Sequence, residues 1–182
     1  MTTLGLIGLG RIGAFHAETL SNLPEVSGLV ITDERPDVVT EIAAKYGATP
    51  ADSVESLLAS GVDGVVVAAA TPAHAELTLA AVGKGLPTFC EKPISDDAAV
   101  IRECYALADE MSTPLVCGFQ RRFDKHYLAL LDAVKAQGAV GTVQTVHVVF
   151  RDHPCPPIEF LRDALTILRQ NTVINDRLTG PQ

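Results

Sequence analysis

One hexapeptide constrains this chain more than any other feature. Gly8-Leu9-Gly10-Arg11-Ile12-Gly13 stands directly after the apolar run Thr3–Ile7 and opens an amphipathic stretch, Arg11–Leu23. Gly8 suits a tight turn out of a strand, Gly10 a close approach of a ligand to the backbone, and Gly13 close contact between helix and strand. The N–H groups at such a helix start, those of Arg11 and Ile12 among them, combine with the helix dipole to favour a diphosphate. Alone, the glycine pattern is weak evidence. Here its context is strand, turn and helix, and a second apolar run, Gly28–Thr32, ends at Asp33, 20 residues after Gly13. A carboxylate in that place accepts hydrogen bonds from an adenosine ribose 2′-hydroxyl and repels a 2′-phosphate, which favours NAD over NADP. Arg35 keeps NADP open as the alternative, since its guanidinium could swing onto a 2′-phosphate.

The same alternation continues along most of the chain. Pro36–Tyr46 is a helical pattern with Val38, Val39, Ile42, Ala43 and Tyr46 on one face, closed by Gly47. A short strand near Ala48 precedes a brief helix, Ser53–Ala59. Gly64–Ala70 is apolar throughout, as a parallel strand covered on both faces should be. Then follow a helix over Ala73–Lys84 with Gly85 as its cap, a strand at Pro87–Cys90, a strongly periodic helix at Ser95–Met111, a strand at Pro114–Gly118 and a helix at Asp124–Gln137. Strands alternating with helices specify βαβ units and right-handed crossovers. The expected fold is α/β, a doubly wound parallel sheet over about residues 1–120. Residues 121–182 are expected to hold a linking helix and part of a second, α+β domain. Its first strand is Thr142–Phe150, where Val146, Val148 and Phe150 alternate with Thr145, His147 and Val149.

Composition narrows the function classes. With 47% apolar and 20% charged residues among 182, the chain can bury a core and is neither disordered nor a coiled coil. A net charge of −8 repels a phosphate backbone, so nucleic acid is not an expected partner. The longest apolar run, Val65–Ala70, falls far short of the ~20 residues a bilayer span needs, so no membrane partner is expected either. The N-terminus has no basic region before an apolar one and no small-residue cleavage site. Cys90, Cys104, Cys117 and Cys155 form no C-x-x-C pair, which argues against a zinc site. Three of them lie in apolar segments and read as core-filling thiols, consistent with a reducing cytoplasm.

Two further loops follow expected strands. Thr71-Pro72-Ala73-His74 comes after Gly64–Ala70, and Glu91-Lys92-Pro93 after Pro87–Cys90. Ligands of open parallel sheets bind outside the carboxyl ends of the strands, so both loops face the expected crevice. Taken singly, His74 would more often be a surface histidine at a helix start, and Glu91-Lys92 a solvated pair. A lysine placed beside a nicotinamide and desolvated there can accept a hydroxyl proton as hydride leaves the carbinol carbon.

These stretches together resemble the Gfo/Idh/MocA oxidoreductases and, within them, inositol 2-dehydrogenase-like proteins. The matching residues are Gly8–Gly13 followed by His16, Ala70-Thr71-Pro72 with His74, Glu91-Lys92-Pro93, and Gly118-Phe119-Gln120-Arg121-Arg122-Phe123-Asp124, covering about residues 3–160. The resemblance implies that Lys92 is the catalytic lysine, that Glu91 and Gln120 lie near the nicotinamide ribose, and that Arg122 and Asp152 face a cyclic polyol or sugar. For Arg121 and Arg122 a plain basic pair before a helix cap remains a reasonable reading of at least one.

The resemblance also implies a second domain with a D-x-x-x-H pattern that completes the site. Asp163 is followed four positions later by Ile167, and Asp176 by Gly180, so neither makes it. The chain is therefore expected to be a truncated family member that binds NAD with little dehydrogenase activity. The alternatives are a non-catalytic NAD-binding regulatory module and a nonfunctional fragment. An exposed strand at 142–150 would offer such a fragment a route to homo-oligomers.

Overall fold

The computed structural model describes residues 2–136, 141–147 and 149. Six parallel strands form one sheet: β1 (Thr2–Ile7), β2 (Val26–Thr32), β3 (Thr49–Pro50), β4 (Gly64–Val67), β5 (Thr88–Cys90) and β6 (Leu115–Cys117). Their order is β3-β2-β1-β4-β5-β6. The chain thus builds outward from β1 to one edge, returns to the centre, and builds outward to the other. The strand order reverses between β1 and β4, which opens a crevice at the carboxyl ends. Helices α1 (Arg11–Ser21), α2 (Pro36–Tyr46), α3 (Val54–Leu58), α4 (His74–Val82) and α5 (Ala98–Glu110) make the crossovers, and α6 (Lys125–Lys135) follows β6.

Strand periodicity divides the core between the two faces of the sheet. Leu6, Leu29, Ile31 and Val66 pack with Ala17 of α1 and Val39, Ile42 and Ala43 of α2. Their strand neighbours Ile7, Val30, Val65 and Val67 point the other way, onto Leu57 and Leu58 of α3, Ala81 of α4 and Cys104 of α5. Every residue of β4 is buried, because it lies between β1 and β5 with helices on both faces. Cys90, Cys104 and Cys117 are buried free thiols, as their apolar settings predict. Cys155 lies outside the described residues. Among the described residues no helix is long and apolar enough to cross a membrane.

Local chemistry sets where elements start and stop. Gly47 closes α2 in the left-handed conformation at φ 68°, and Ser53 and Ser56 form a reciprocal cap on α3. The helix expected from Ser95 starts at Ala98, because Asp97 accepts a hydrogen bond from the Ala99 N–H and caps it there. Gly83 rather than Gly85 ends α4, with Gly85 at φ 73° two residues on. The run Gly64–Ala70 is strand only to Val67; past it the chain turns into a 3-10 turn, Thr71–Ala73. One expectation fails. Of the strand expected over 142–150, residues 148 and 150 lie outside the described residues, 142–147 and 149 form no strand, and Val143, Val146 and Val149 are exposed. A β-branched alternation becomes a strand only where another strand accepts its ladder bonds, and among the described residues none does. The chain divides into two compact units, 1–130 and 131–182, and every described strand belongs to the first.

Candidate nucleotide site

Glycine geometry shapes the β1–α1 turn. Gly8 sits at φ 93°, and a Cβ there would run into the backbone of Ala68 and Ala69 just past β4. A Cβ on Gly13 would collide with the carbonyl oxygen of Gly8. Both positions therefore have no room for a side chain. Gly10 differs: a Cβ there meets nothing within 4 Å, and the residue lines an open cleft. Gly10 is also the N-cap of α1 and brings no capping side chain, so the first N–H groups of that helix are left for a ligand. No acidic residue occupies the first turn of α1, and Arg11 lines the same cleft. No carboxylate of the helix itself therefore offsets the positive end of its dipole.

That cleft has a volume of about 750 Å³. It brings together Gly8, Gly10, Arg11, Ile12, Asp33 and Arg35, six of the residues singled out in the sequence. Asp33 is its anchor. One carboxylate oxygen, Oδ2, accepts the Leu9 N–H at 2.6 Å and so ties the glycine turn to the end of β2. The other, Oδ1, accepts the Arg35 N–H at 3.0 Å and the Arg35 Nε–H at 2.9 Å. Partial burial opposes ionisation of Asp33, but the Arg35 guanidinium and the two backbone N–H groups outweigh it and hold the carboxyl below its ordinary value. Asp52, Ser53 and Val54 beyond β3, with Glu76 and Leu77 of α4, complete the wall. Sequence reading missed these five, since no motif marks them and only the sheet order carries β3 to this end.

A second cluster gathers around Glu91. Its Oε1 lies 2.9 Å from His16 Nε2, and Oε2 accepts the Lys92 N–H at 3.2 Å. Phe89 meets the His16 ring edge-on, with centroids 5.6 Å apart. A Cβ on Gly118 would lie 2.9 Å from Phe89 Cζ and 3.3 Å from Glu91 Oε2, so the loop after β6 packs closely against both side chains at this glycine. The sequence marks His16 and Glu91 separately, 75 residues apart, without marking them as partners. Lys92 is exposed, so the desolvation expected of its amine is not found among the described residues. Gln120 and Arg122 lie exposed in a 3-10 turn, Gln120–Phe123, directly after β6.

His74 differs from an open ligand contact. It is 2% exposed; Nδ1 lies 2.7 Å from the Pro93 carbonyl oxygen and Nε2 2.9 Å from that of Ala69. Both nitrogens face backbone carbonyls, so His74 straps together the loops after β4 and β5. Thr71 and Pro72 stand exposed at the head of that strap. Asp152 lies outside the described residues.

Residues 2–119 match the Gfo/Idh/MocA family, described as an oxidoreductase family with an NAD-binding Rossmann fold. Over 171 residues the chain is 34% identical to an inositol 2-dehydrogenase of Rhizobium meliloti, covering 93% of this chain and 51% of that protein. A myo-inositol dehydrogenase of Streptomyces leeuwenhoekii is 39% identical over 166 residues, covering 91% and 50%. Among solved structures, a Gfo/Idh/MocA family oxidoreductase from Vibrio cholerae superposes with a TM-score of 0.66 at 29% identity, over 73% of this chain and 44% of that one. The chain spans about half the length of the curated relatives it matches.

Proposed function

The chain belongs to the Gfo/Idh/MocA oxidoreductase family, and from that premise we propose that it holds NAD in the cleft between Gly8 and Asp33, in support of polyol oxidation. One observation carries the reading. Asp33, Leu9 and Gly10 form a single unit in which a carboxylate anchors the glycine turn while open space remains above it. In this reading the uncapped N–H groups of α1 and the Arg11 side chain take the diphosphate, and Asp33 takes the adenosine ribose. When bound, NAD supplies the hydride acceptor.

The chain's other residues then have these tasks. Glu91, steadied by His16, lies toward the nicotinamide ribose with Gln120. Lys92 accepts the hydroxyl proton of a cyclic polyol or sugar, and Arg122 and Asp152 orient that substrate. Proton transfer by a placed amine is worth about 10²–10⁴-fold in rate, but only to a substrate held against it. The exposure of Lys92 favours a unit that binds cofactor and turns over slowly. Residues 1–120 are the cofactor domain in this proposal, 121–182 lead into a substrate domain, and copies associate through 142–150. A cytoplasmic location accords with the free thiols.

Isothermal titration of the chain with NAD⁺ and NADH tests the cofactor reading. Saturable heat at one site per chain is expected, together with slow NADH formation from myo-inositol that Lys92→Ala abolishes. Absence of heat with both forms would refute it.

A further inference from the structure

The Lys92 amine hangs from a stretch of backbone that one side chain holds. Glu91 N–H donates to the Val67 carbonyl at 2.9 Å and so still belongs to the sheet. At Lys92 that ladder ends. The one acceptor found for its N–H among the described residues is Glu91 Oε2, 3.2 Å away. Where the Glu91 carboxylate stands therefore sets where the lysine starts. The carboxylate depends in turn on α1. Its other oxygen, Oε1, lies 2.9 Å from His16 Nε2. A carboxylate only accepts, so this contact places a proton on Nε2.

His16 is itself held. Phe89 and Phe15 meet its ring edge-on, with centroids 5.6 and 6.2 Å away. The His16 and Glu91 side chains are 18% and 21% exposed, so little water competes for the bond between them. His16 also stands on the helix whose uncapped start borders the cleft. In the NAD reading α1 thus serves both ends of the site: its first N–H groups meet the diphosphate, and His16 meets the loop that carries the lysine.

We propose that His16 is a positioning residue for Lys92, acting through Glu91. Its Nε2–H holds the carboxylate that fixes the Lys92 backbone, and so keeps the amine beside the nicotinamide. The inference rests on the roles of NAD and Lys92 proposed above and adds a residue that acts at one remove from the reacting atoms.

The 182-residue chain tests this as wild type, His16→Leu, His16→Gln and Glu91→Gln, with thermal unfolding as the check on folding. Leucine fills the space without a donor, whereas the glutamine amide can stand in for Nε2. Two quantities are read. One is amide exchange at Lys92 by NMR; the other is acetylation of the Lys92 amine by acetic anhydride, with and without NAD⁺, against Lys84 by mass spectrometry. In wild type, NAD⁺ should shield the Lys92 amine. His16→Leu is expected to speed Lys92 amide exchange by about 3–10-fold, the net worth of one hydrogen bond, while β4 amides stay as they were. It should also lose the shielding while retaining the wild-type heat of NAD⁺ binding. His16→Gln should restore both. Glu91→Gln offers one acceptor oxygen to two donors and should match His16→Leu, which keeps the test open if His16→Leu folds poorly. Exchange and shielding that stay at wild-type values in the donor-loss variants, or that His16→Gln fails to restore, overturn the role of His16 and leave NAD binding standing. Heat without shielding in wild type overturns the placement of Lys92 and this inference with it. Wild-type chain that gives no heat with NAD⁺ overturns the nucleotide reading itself.

Discussion

Gly10 and Gly13 are three residues apart in one turn and face different physical demands. A methyl group on Gly13 would be driven into the Gly8 carbonyl, so helix and turn must separate; a methyl on Gly10 would enter open cleft. Gly13→Ala is therefore expected to cost about 1–3 kcal/mol of stability, as overpacking of a tight contact does. Gly10→Ala should keep the urea midpoint near wild type and weaken NAD⁺ binding. Denaturation and calorimetry on both variants separate packing from ligand approach. Asp33 gives a pH dependence. Its carboxyl is lowered on folding, so its contribution to stability is complete above the ordinary aspartate value of ~3.9 and is lost as pH falls through the lower folded value. Acid titration followed by circular dichroism should show wild type more stable than Asp33→Asn at neutral pH, with the two curves converging in that acid range. Coincident curves at every pH would contradict the anchoring role of Asp33.

At the scale of elements, capping and pairing decide what hydrophobic pattern leaves open. Pattern alone ran α5 back to Ser95, but the Asp97 side chain fixes its start at Ala98. Pattern also made Thr142–Phe150 a strand, whereas a strand exists only with a partner. His74 carries the same lesson for the site. Its position after a buried strand suggested a ligand contact, and the fold instead buries it between two loops. Substituting His74→Ala removes the ring that lies between the Ala69 and Pro93 carbonyls and a hydrogen bond to one of them, at an expected cost of about 1–3 kcal/mol. Hydrogen exchange should then quicken in residues 91–95 before it does in α1. Unchanged exchange there would remove the strap from the account of how Lys92 is held.

For the molecule as a whole, ligand and surface make separate predictions. NAD bound to the folded chain alone should raise its stability by about 2.7 kcal/mol at a hundred times Kd, read as a rise in Tm. Val143, Val146 and Val149 are exposed, and the proposed association through 142–150 should therefore weaken in Val146→Lys, as sedimentation velocity would record. The sequence by itself determined the parallel α/β sheet and the glycine turn, because strand and helix periods and the absence of a Cβ are local properties. Asp33 was legible too, through its fixed distance from the turn. Tertiary structure alone decided the rest: that Glu91 meets His16, that His74 faces two backbone carbonyls, and that the Leu9 N–H meets the Asp33 carboxylate. Each of these depends on which loops the sheet order brings to one edge and on which lone pairs are then left over, and neither is written in any single stretch of chain.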